Sequence, residues 1–298
     1  MKKCTLCPRN CAVNREKGEK GVCGQTIEIK AARAALHYWE EPCISGREGS
    51  GAVFFSGCPL HCVFCQNRNI VNGTAGKVIT VERLAEIFLE LQQKGANNIN
   101  LVTAGHFAPQ VISALQSAKK QGLTIPIVYN TSSYENVDTI KRLEGLVDIY
   151  LPDFKYMDET LSQKYSHAPD YSRVAKAAIA EMVRQTGPAV FCGGDEEGLM
   201  ERGTIVRHLL LPGCTEDSKK IICYLYETYG NHIYISIMNQ FTPLEGLEKY
   251  PELNRKVTES EYEEVVDYAI SLGVECGFIQ EGETAEESFI PEFNGEGL

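Results

Sequence analysis

The chain lacks any run of about 18 apolar residues, the length a helix needs to cross a bilayer. Its first residues, MKKCTLCPRN, also lack the apolar stretch of a secretory leader. The expectation from these absences is a cytoplasmic protein with no membrane partner. Basic charge is scarce too: 29 Lys and Arg stand against 40 Asp and Glu, a formal charge of −11, and no Lys/Arg run occurs. A general nucleic-acid binder concentrates positive charge, so nucleic acid is disfavoured as a partner. No internal repeat or low-complexity tract interrupts the chain. Hydrophobic residues make up 43% of 298 positions, enough for one sizeable core. Barrels of the α/β class reach about 200 to 250 residues as single domains.

Cysteine, by contrast, is plentiful. Seven of the twelve cysteines fall in two tight groups near the N-terminus. In a reducing compartment, grouped cysteines are metal ligands more often than disulfide partners. The remaining five, Cys43, Cys192, Cys214, Cys223 and Cys276, are scattered and read as small hydrophobes.

Residues 1–48 read as a small Cys-rich metal-binding module, with one longer apolar stretch from Ala31 to Trp39. From Gly51 the pattern becomes an alternation of strands and helices. Strands are predicted at Ala52–Phe55, Ile99–Val102, Ile125–Tyr129, Val147–Leu151, Thr204–Leu210 and Ile233–Ile237. Helices are predicted from Thr80 as N-cap to about Gly95, and over Val111–Lys120, Tyr134–Leu143 and Ser172–Gln185. Two more run onward from Thr215 and over Thr258–Leu272. A short hairpin is expected from Ala189–Cys192 through Gly193-Gly194-Asp195 into the Thr204 strand. Strands separated by helical crossovers run parallel. Six such units over residues 49–280 give an α/β fold, a partial (β/α)6 barrel of TIM type, whose chemistry belongs at the C-terminal ends of its strands. The acidic tail, residues 281–298, is expected to act as a surface strap.

The first of these strands leads into Gly57-Cys58-Pro59-Leu60-His61-Cys62-Val63-Phe64-Cys65-Gln66-Asn67. Its spacing is C-x3-C-x2-C, with no fourth cysteine close by. Iron–sulfur clusters usually take four thiolates. Three hold a [4Fe–4S] cube by three irons and leave one iron open, the mark of a reactive centre rather than a closed one. The ordinary alternative is a zinc knuckle that borrows His61, an awkward ligand because it lies beside Cys62.

This loop resembles the signature of the radical S-adenosylmethionine (SAM) superfamily, C-x3-C-x-aromatic-C, with Phe64 at the aromatic position. The segment Gly57 to Asn67 is similar to that of the glycyl-radical-enzyme activating proteins, typified by the pyruvate formate-lyase activating enzyme. Cys4-Thr5-Leu6-Cys7-Pro8-Arg9-Asn10-Cys11 resembles the N-terminal segment of one poorly characterised branch of that group. The resemblance, which spans essentially the whole chain, implies a [4Fe–4S] cluster on Cys58, Cys62 and Cys65, with SAM chelating the open iron. It further implies reductive cleavage of SAM to a 5′-deoxyadenosyl radical, an oxidoreductase supplied by a donor such as flavodoxin or ferredoxin. A glycyl radical enzyme is the expected partner.

Other strand ends supply candidates for holding SAM. Thr103-Ala104-Gly105 takes the place of a Gly-Gly-Glu-like segment in the resembled enzymes, so a backbone role and the Thr103 hydroxyl carry over. Phe64 belongs to the same cofactor-binding set. Asn130-Thr131-Ser132 suits ribose or carboxylate contacts, or equally a helix cap. Asp153 and Lys155 stand two apart, on one side of an extended chain, and resemble the activating enzymes' Asp-x-Lys segment near the methionine end of SAM. Arg207 and His208 point to opposite faces of their strand. Arg207 matches an arginine of the resembled enzymes, the catalytic candidate for a SAM or substrate carboxylate, while His208 would pack beneath a helix. Asn239 and Gln240 could face the substrate.

Cys4, Cys7, Cys11 and Cys23 are spaced C-x2-C-x3-C-x11-C. Four thiolates in a segment without a core of its own call for a metal that folds it. That second metal centre is either zinc or another Fe–S cluster, and the crowding of three cysteines favours iron. Two functions compete with activation of a glycyl radical enzyme. One is radical modification of a metabolite, cofactor or RNA. The other is electron transfer without SAM, disfavoured because the loop offers three ligands where a carrier needs four.

Overall fold

The computed structural model describes residues 3–194, 198–280 and 291–298. Its strands are β1 (Ile29–His37), β2 (Ser50–Phe55), β3 (Lys77–Ile79), β4 (Ile99–Val102), β5 (Ile127–Thr131), β6 (Ile149–Pro152), β7 (Val190–Phe191), β8 (Met200–Leu209), β9 (Tyr234–Met238) and β10 (Gly277–Ile279). They pair in the order β10-β9-β8-β6-β5-β4-β2-β1-β3. From β2 to β10 the neighbours along this path are parallel. The strand–helix alternation thus builds a mixed α/β fold with a largely parallel wall, a partial TIM-type barrel.

Local chemistry accounts for the elements. In Val81–Gln93, Leu84, Ala85, Ile87, Phe88 and Leu91 face the core, and the Thr80 hydroxyl accepts the Arg83 N–H at 3.1 Å as N-cap. Thr258 and Glu261 form a reciprocal capping box at the start of Glu259–Leu272. β2, β4, β5, β6 and β9 are buried along their whole length, as strands covered on both faces must be.

Several boundaries differ from expectation. The third parallel strand begins at Ile127 rather than Ile125, after Pro126, which has no N–H to give a ladder. The helix expected over Tyr134–Leu143 is confined to Val137–Lys141, because Ser133 takes a positive φ and Tyr134 and Glu135 turn their side chains inward. The hairpin strands pair, Val190 with Arg202 and Phe191 with Met200, whereas Asp195 of its turn lies outside the described residues. β10 adds a seventh parallel strand, too short for its pattern to signal.

The first 48 residues are not a body apart. Ile29–His37 is an antiparallel strand of the same sheet, paired with β2 and β3, because its alternating apolar side chains pack into the main core. Only residues 3–28 remain as a thiol-bearing segment. The C-terminal residues lie along β1: Gly295 N–H donates to the Ala32 carbonyl and Ala34 N–H to the Glu296 carbonyl. Leu298 packs on the core and Phe293 edge-on to Phe54. Among the described residues no helix is long and apolar enough to cross a membrane.

Candidate functional site

At the C-terminal ends of the parallel strands the wall surrounds a cavity of about 660 Å³. Cys58, Cys62 and Cys65 line it, and no other cysteine does among the described residues. The loop carrying them is fixed from several sides. Val63 N–H donates to the Tyr165 carbonyl at 2.9 Å. Leu60 is fully buried. The Phe64 ring is nearly buried against Tyr156, Tyr165 and Phe241, with ring centroids 6.1 to 6.5 Å away. Phe64 thus anchors the loop while one edge lines the cavity. His61 turns away: its Nε2 lies 2.7 Å from the Val22 carbonyl.

Burial pushes the Cys58 thiol up to about 11 and the Cys65 thiol to about 12, with Cys62 beside both adding to the effect. A metal binds thiolates, so loading this loop releases protons. The donor set suits a [4Fe–4S] cube: three soft thiols come from one loop, and the remaining side faces open cavity instead of a fourth thiol. No three Cys, His, Asp or Glu side chains among the described residues are gathered to hold a single metal ion. What counts against a zinc knuckle is His61 itself, whose ring is turned to the Val22 carbonyl.

From this loop a charged chain crosses the cavity. Lys155 feels the Cys62 and Cys65 thiols and donates through Nζ to Asp153 Oδ2 at 2.7 Å. Asp153 Oδ1 accepts from Arg207 Nε at 3.0 Å. Arg207 donates further to Asn130 Oδ1 at 2.7 Å and Glu40 Oε2 at 2.9 Å. Burial works against the charged form of Asp153, but Lys155 and Arg207 outweigh it and hold the carboxyl below its usual range. For Lys155, burial opposes charge and Asp153 more than restores it. Such a network, out of water and fully paired, is rigid.

The structure therefore brings Phe64, Thr103, Asn130, Asp153, Lys155 and Arg207 to one cavity wall with the three thiols. Ala104 and Gly105 are not on that wall. Ala104 is buried, and a Cβ on Gly105 would collide with the Glu135 carboxylate. Glu135 accepts from the Thr131 and Tyr129 hydroxyls, and burial pushes it up to about 7. Ser132 joins the wall, and Thr131 is bound to Glu135 instead. His208 faces outward as expected, its Nδ1 2.8 Å from the Phe154 carbonyl and its Nε2 2.8 Å from Ser218 Oγ. Gln240 lines the cavity; Asn239 does not.

Glu40, Glu41, His37 and Trp39 were missed. They follow or end β1 and reach the cavity from the antiparallel side. A Glu-Glu pair beside a Pro carries no site signal; only the register of β1 on β2 places it inside.

The thiol-bearing segment 3–28 sits against the same loop without lining the cavity. Arg9, between Cys7 and Cys11, donates to the carbonyls of Pro59 (2.8 Å), Leu60 (3.3 Å), Ser166 (2.8 Å) and His167 (2.5 Å). Gly57, at φ +88°, leaves no room for a side chain beside the Cys23 carbonyl. Cys4, Cys7 and Cys23 are buried. Burial pushes Cys7 up to about 12, aided by Glu135, Cys23 and Cys11 nearby. Cys11 Sγ accepts the Val22 N–H at 3.3 Å, and the four thiols are likewise not gathered as a ready single-ion site.

A family model described as the radical SAM superfamily matches residues 52–191. An uncharacterised protein of Methanocaldococcus jannaschii is 29% identical over 280 residues, covering 90% of this chain and 75% of that one. The pyruvate formate-lyase-activating enzyme of Clostridium pasteurianum is 24% identical over 209 residues, covering 68% and 79%. Among solved structures, Streptococcus suis SuiB bound to its precursor peptide SuiA superposes with a TM-score of 0.51 at 14% identity. The match covers 76% of this chain and 46% of SuiB, and it speaks for the fold alone.

Proposed function

Because this chain belongs to the radical SAM superfamily, we propose that it cleaves SAM reductively at a [4Fe–4S] cluster held by Cys58, Cys62 and Cys65. The observation that carries this reading is the convergence of those three thiols with the Lys155–Asp153–Arg207 chain on one cavity. Bound there, cluster and SAM supply one-electron cleavage to methionine and a 5′-deoxyadenosyl radical. The chain's own residues bind and orient. Asp153 and Lys155 present opposite charges to the amino and carboxylate groups of SAM, Asn130 and Ser132 offer polar contacts, and Thr103 adds a hydroxyl. Arg207 fixes Asp153 and Asn130 in place. Buried aromatics around Phe64 exclude water from the loop.

The target we put forward is a glycyl radical enzyme, supported by the relation to the Clostridium pasteurianum activating enzyme. An external one-electron donor such as flavodoxin or ferredoxin is part of the proposal. So is a cytoplasmic location, which suits twelve cysteines that form no disulfide among the described residues. We also assign a second metal centre, zinc or Fe–S, to Cys4, Cys7, Cys11 and Cys23. The mutual burial of Cys7 and Cys23 and the influence of Cys11 on both support it. Anaerobic reconstitution, reduction and assay of 5′-deoxyadenosine test the cleavage. A glycyl-radical EPR doublet on mixing with a candidate partner tests the target.

A further inference from the structure

One buried group on the cavity wall has no part in the scheme above. Glu41 is 8% exposed; one carboxyl oxygen meets the Ser236 hydroxyl, while Oε2 is buried without a hydrogen-bond partner among the described residues. It lines the cavity next to Glu40, which terminates the charged chain running from the cysteine loop through Lys155, Asp153 and Arg207. We infer that this end of the cavity is a subsite for a cationic nitrogen of the substrate, an ammonium or guanidinium group, received by Glu41. The inference rests on the reading of the cavity as the reaction chamber.

Charge balance supports it. Among the described residues the wall bears three carboxyl groups, Glu40, Glu41 and Asp153, against two cations, Lys155 and Arg207, and both cations are bonded to Asp153 or Glu40 and not to Glu41. All three nitrogens of Arg207 already donate, to Asp153, Asn130 and Glu40, and Lys155 is bound to Asp153. His37, also on the wall, brings no charge near neutral pH, since burial pushes it down to about 4. Burial likewise raises Glu41 against the pull of Arg207. A buried carboxyl oxygen left unpaired is costly, and an ionised carboxylate can only accept. A donor that brings positive charge resolves both problems at once. Trp39, two residues before Glu41, and Phe54 also line the cavity, and aromatic surface favours a neighbouring cation. An anionic ligand would find no cation at Glu41, since Lys155 and Arg207 are already engaged by Asp153 and Glu40.

Trp39 is the single tryptophan of the sequence, so its fluorescence reports on this subsite in the whole chain. The experiment titrates n-butylammonium, butan-1-ol and butyrate into the anaerobic protein carrying cluster and SAM. The expected result is a saturable Trp39 response to butylammonium, with butanol at least about tenfold weaker and butyrate weaker still. Glu41→Gln, nearly isosteric, should abolish the preference for ammonium over alcohol. Equal binding of ammonium and alcohol, a preference for butyrate, or an ammonium preference that survives Glu41→Gln would each overturn the inference. If that variant does not fold, the order of the three probes on the parent decides. SAM cleavage on the same sample separates the two readings: cleavage without ammonium preference removes the subsite alone, and preference without cleavage removes the radical chemistry alone.

Discussion

Cys58, Cys62 and Cys65 open onto a cavity, whereas Cys4, Cys7, Cys11 and Cys23 are packed against the back of the same loop. The first group has three thiols on a loop fixed by a large core: Leu60 and Phe64 belong to a cluster with Tyr156, Tyr165 and Phe241. The second has four thiols in a segment whose ordered contacts are mostly borrowed, through Arg9, Gly57 and the bonds of Asn136 and Thr139 to the Thr5 and Leu6 carbonyls. Three thiols facing empty space suit a centre that must accept a further ligand. Four thiols away from the cavity, three of them buried, suit one that need not. Thiol count and surroundings point the same way in each region.

The comparison breaks first at the segment to which we assign a structural metal. Replacing Cys4, Cys7, Cys11 and Cys23 with Ser should unfold residues 3–28, since structural metal sites contribute about 10 kcal/mol or more. Limited proteolysis and iron and zinc analysis read this directly. Conversely, Cys58/Cys62/Cys65→Ala should still bind metal at the N-terminal site; a chain with neither metal would end the distinction.

Arg9 joins the two regions. Arg9→Ala leaves four carbonyls without their cationic donor and should cost about 3 to 5 kcal/mol. Iron should be lost faster from the Cys58–Cys65 loop, and amide exchange at Leu60 and Val63 should accelerate. Arg9→Lys, with one ammonium for a planar fork, should recover only part. Unchanged exchange in Arg9→Ala would show the two regions to be independent.

Glu135 lies near the four-thiol segment, raising Cys7, and abuts Gly105. Its folded value of about 7 exceeds the unfolded one, so its contribution to stability is complete below about pH 4.5 and is lost as pH rises through 7. Glu135→Gln should therefore stabilise the protein by about 3 kcal/mol at pH 8 and by little at pH 4.5. Denaturant titrations at both values measure it. Equal effects would place the carboxyl in water.

A smaller effect sharpens the cavity side. Asp153→Asn, Lys155→Met and Arg207→Gln should each weaken SAM binding about tenfold to a hundredfold with cluster iron retained. If all three titrate like the parent, this network is scaffold.

Much of this was legible from residues alone, for identifiable reasons. The Cys58–Cys65 loop announces itself because ligand spacing is local, and Asp153 and Lys155, just past the end of β6, because two residues apart on an extended chain means one side. Arg207 and His208 were sorted to opposite faces by strand alternation, and they lie so. Strands buried on both faces read as apolar runs, which placed β2, β4, β6 and β9 to within one or two residues. Glu40 and Glu41 were invisible because their position depends on β1 crossing antiparallel to β2, a pairing set by tertiary contacts. Ala104 and Gly105 were read as a backbone contact, and their packing has a cause the local sequence does not carry. Glycine there answers the close approach of Glu135, 30 residues on, which no local pattern records.

The central claim is that the three-thiol loop, and not the four-thiol segment, is where SAM is cleaved. The most direct measurement is 5′-deoxyadenosine formation from SAM under dithionite by the parent and by Cys58→Ala, Cys62→Ala and Cys65→Ala, each with its N-terminal cysteines intact. Product is expected from the parent and none above background from any of the three. Parent-like product from even one of them would contradict that claim.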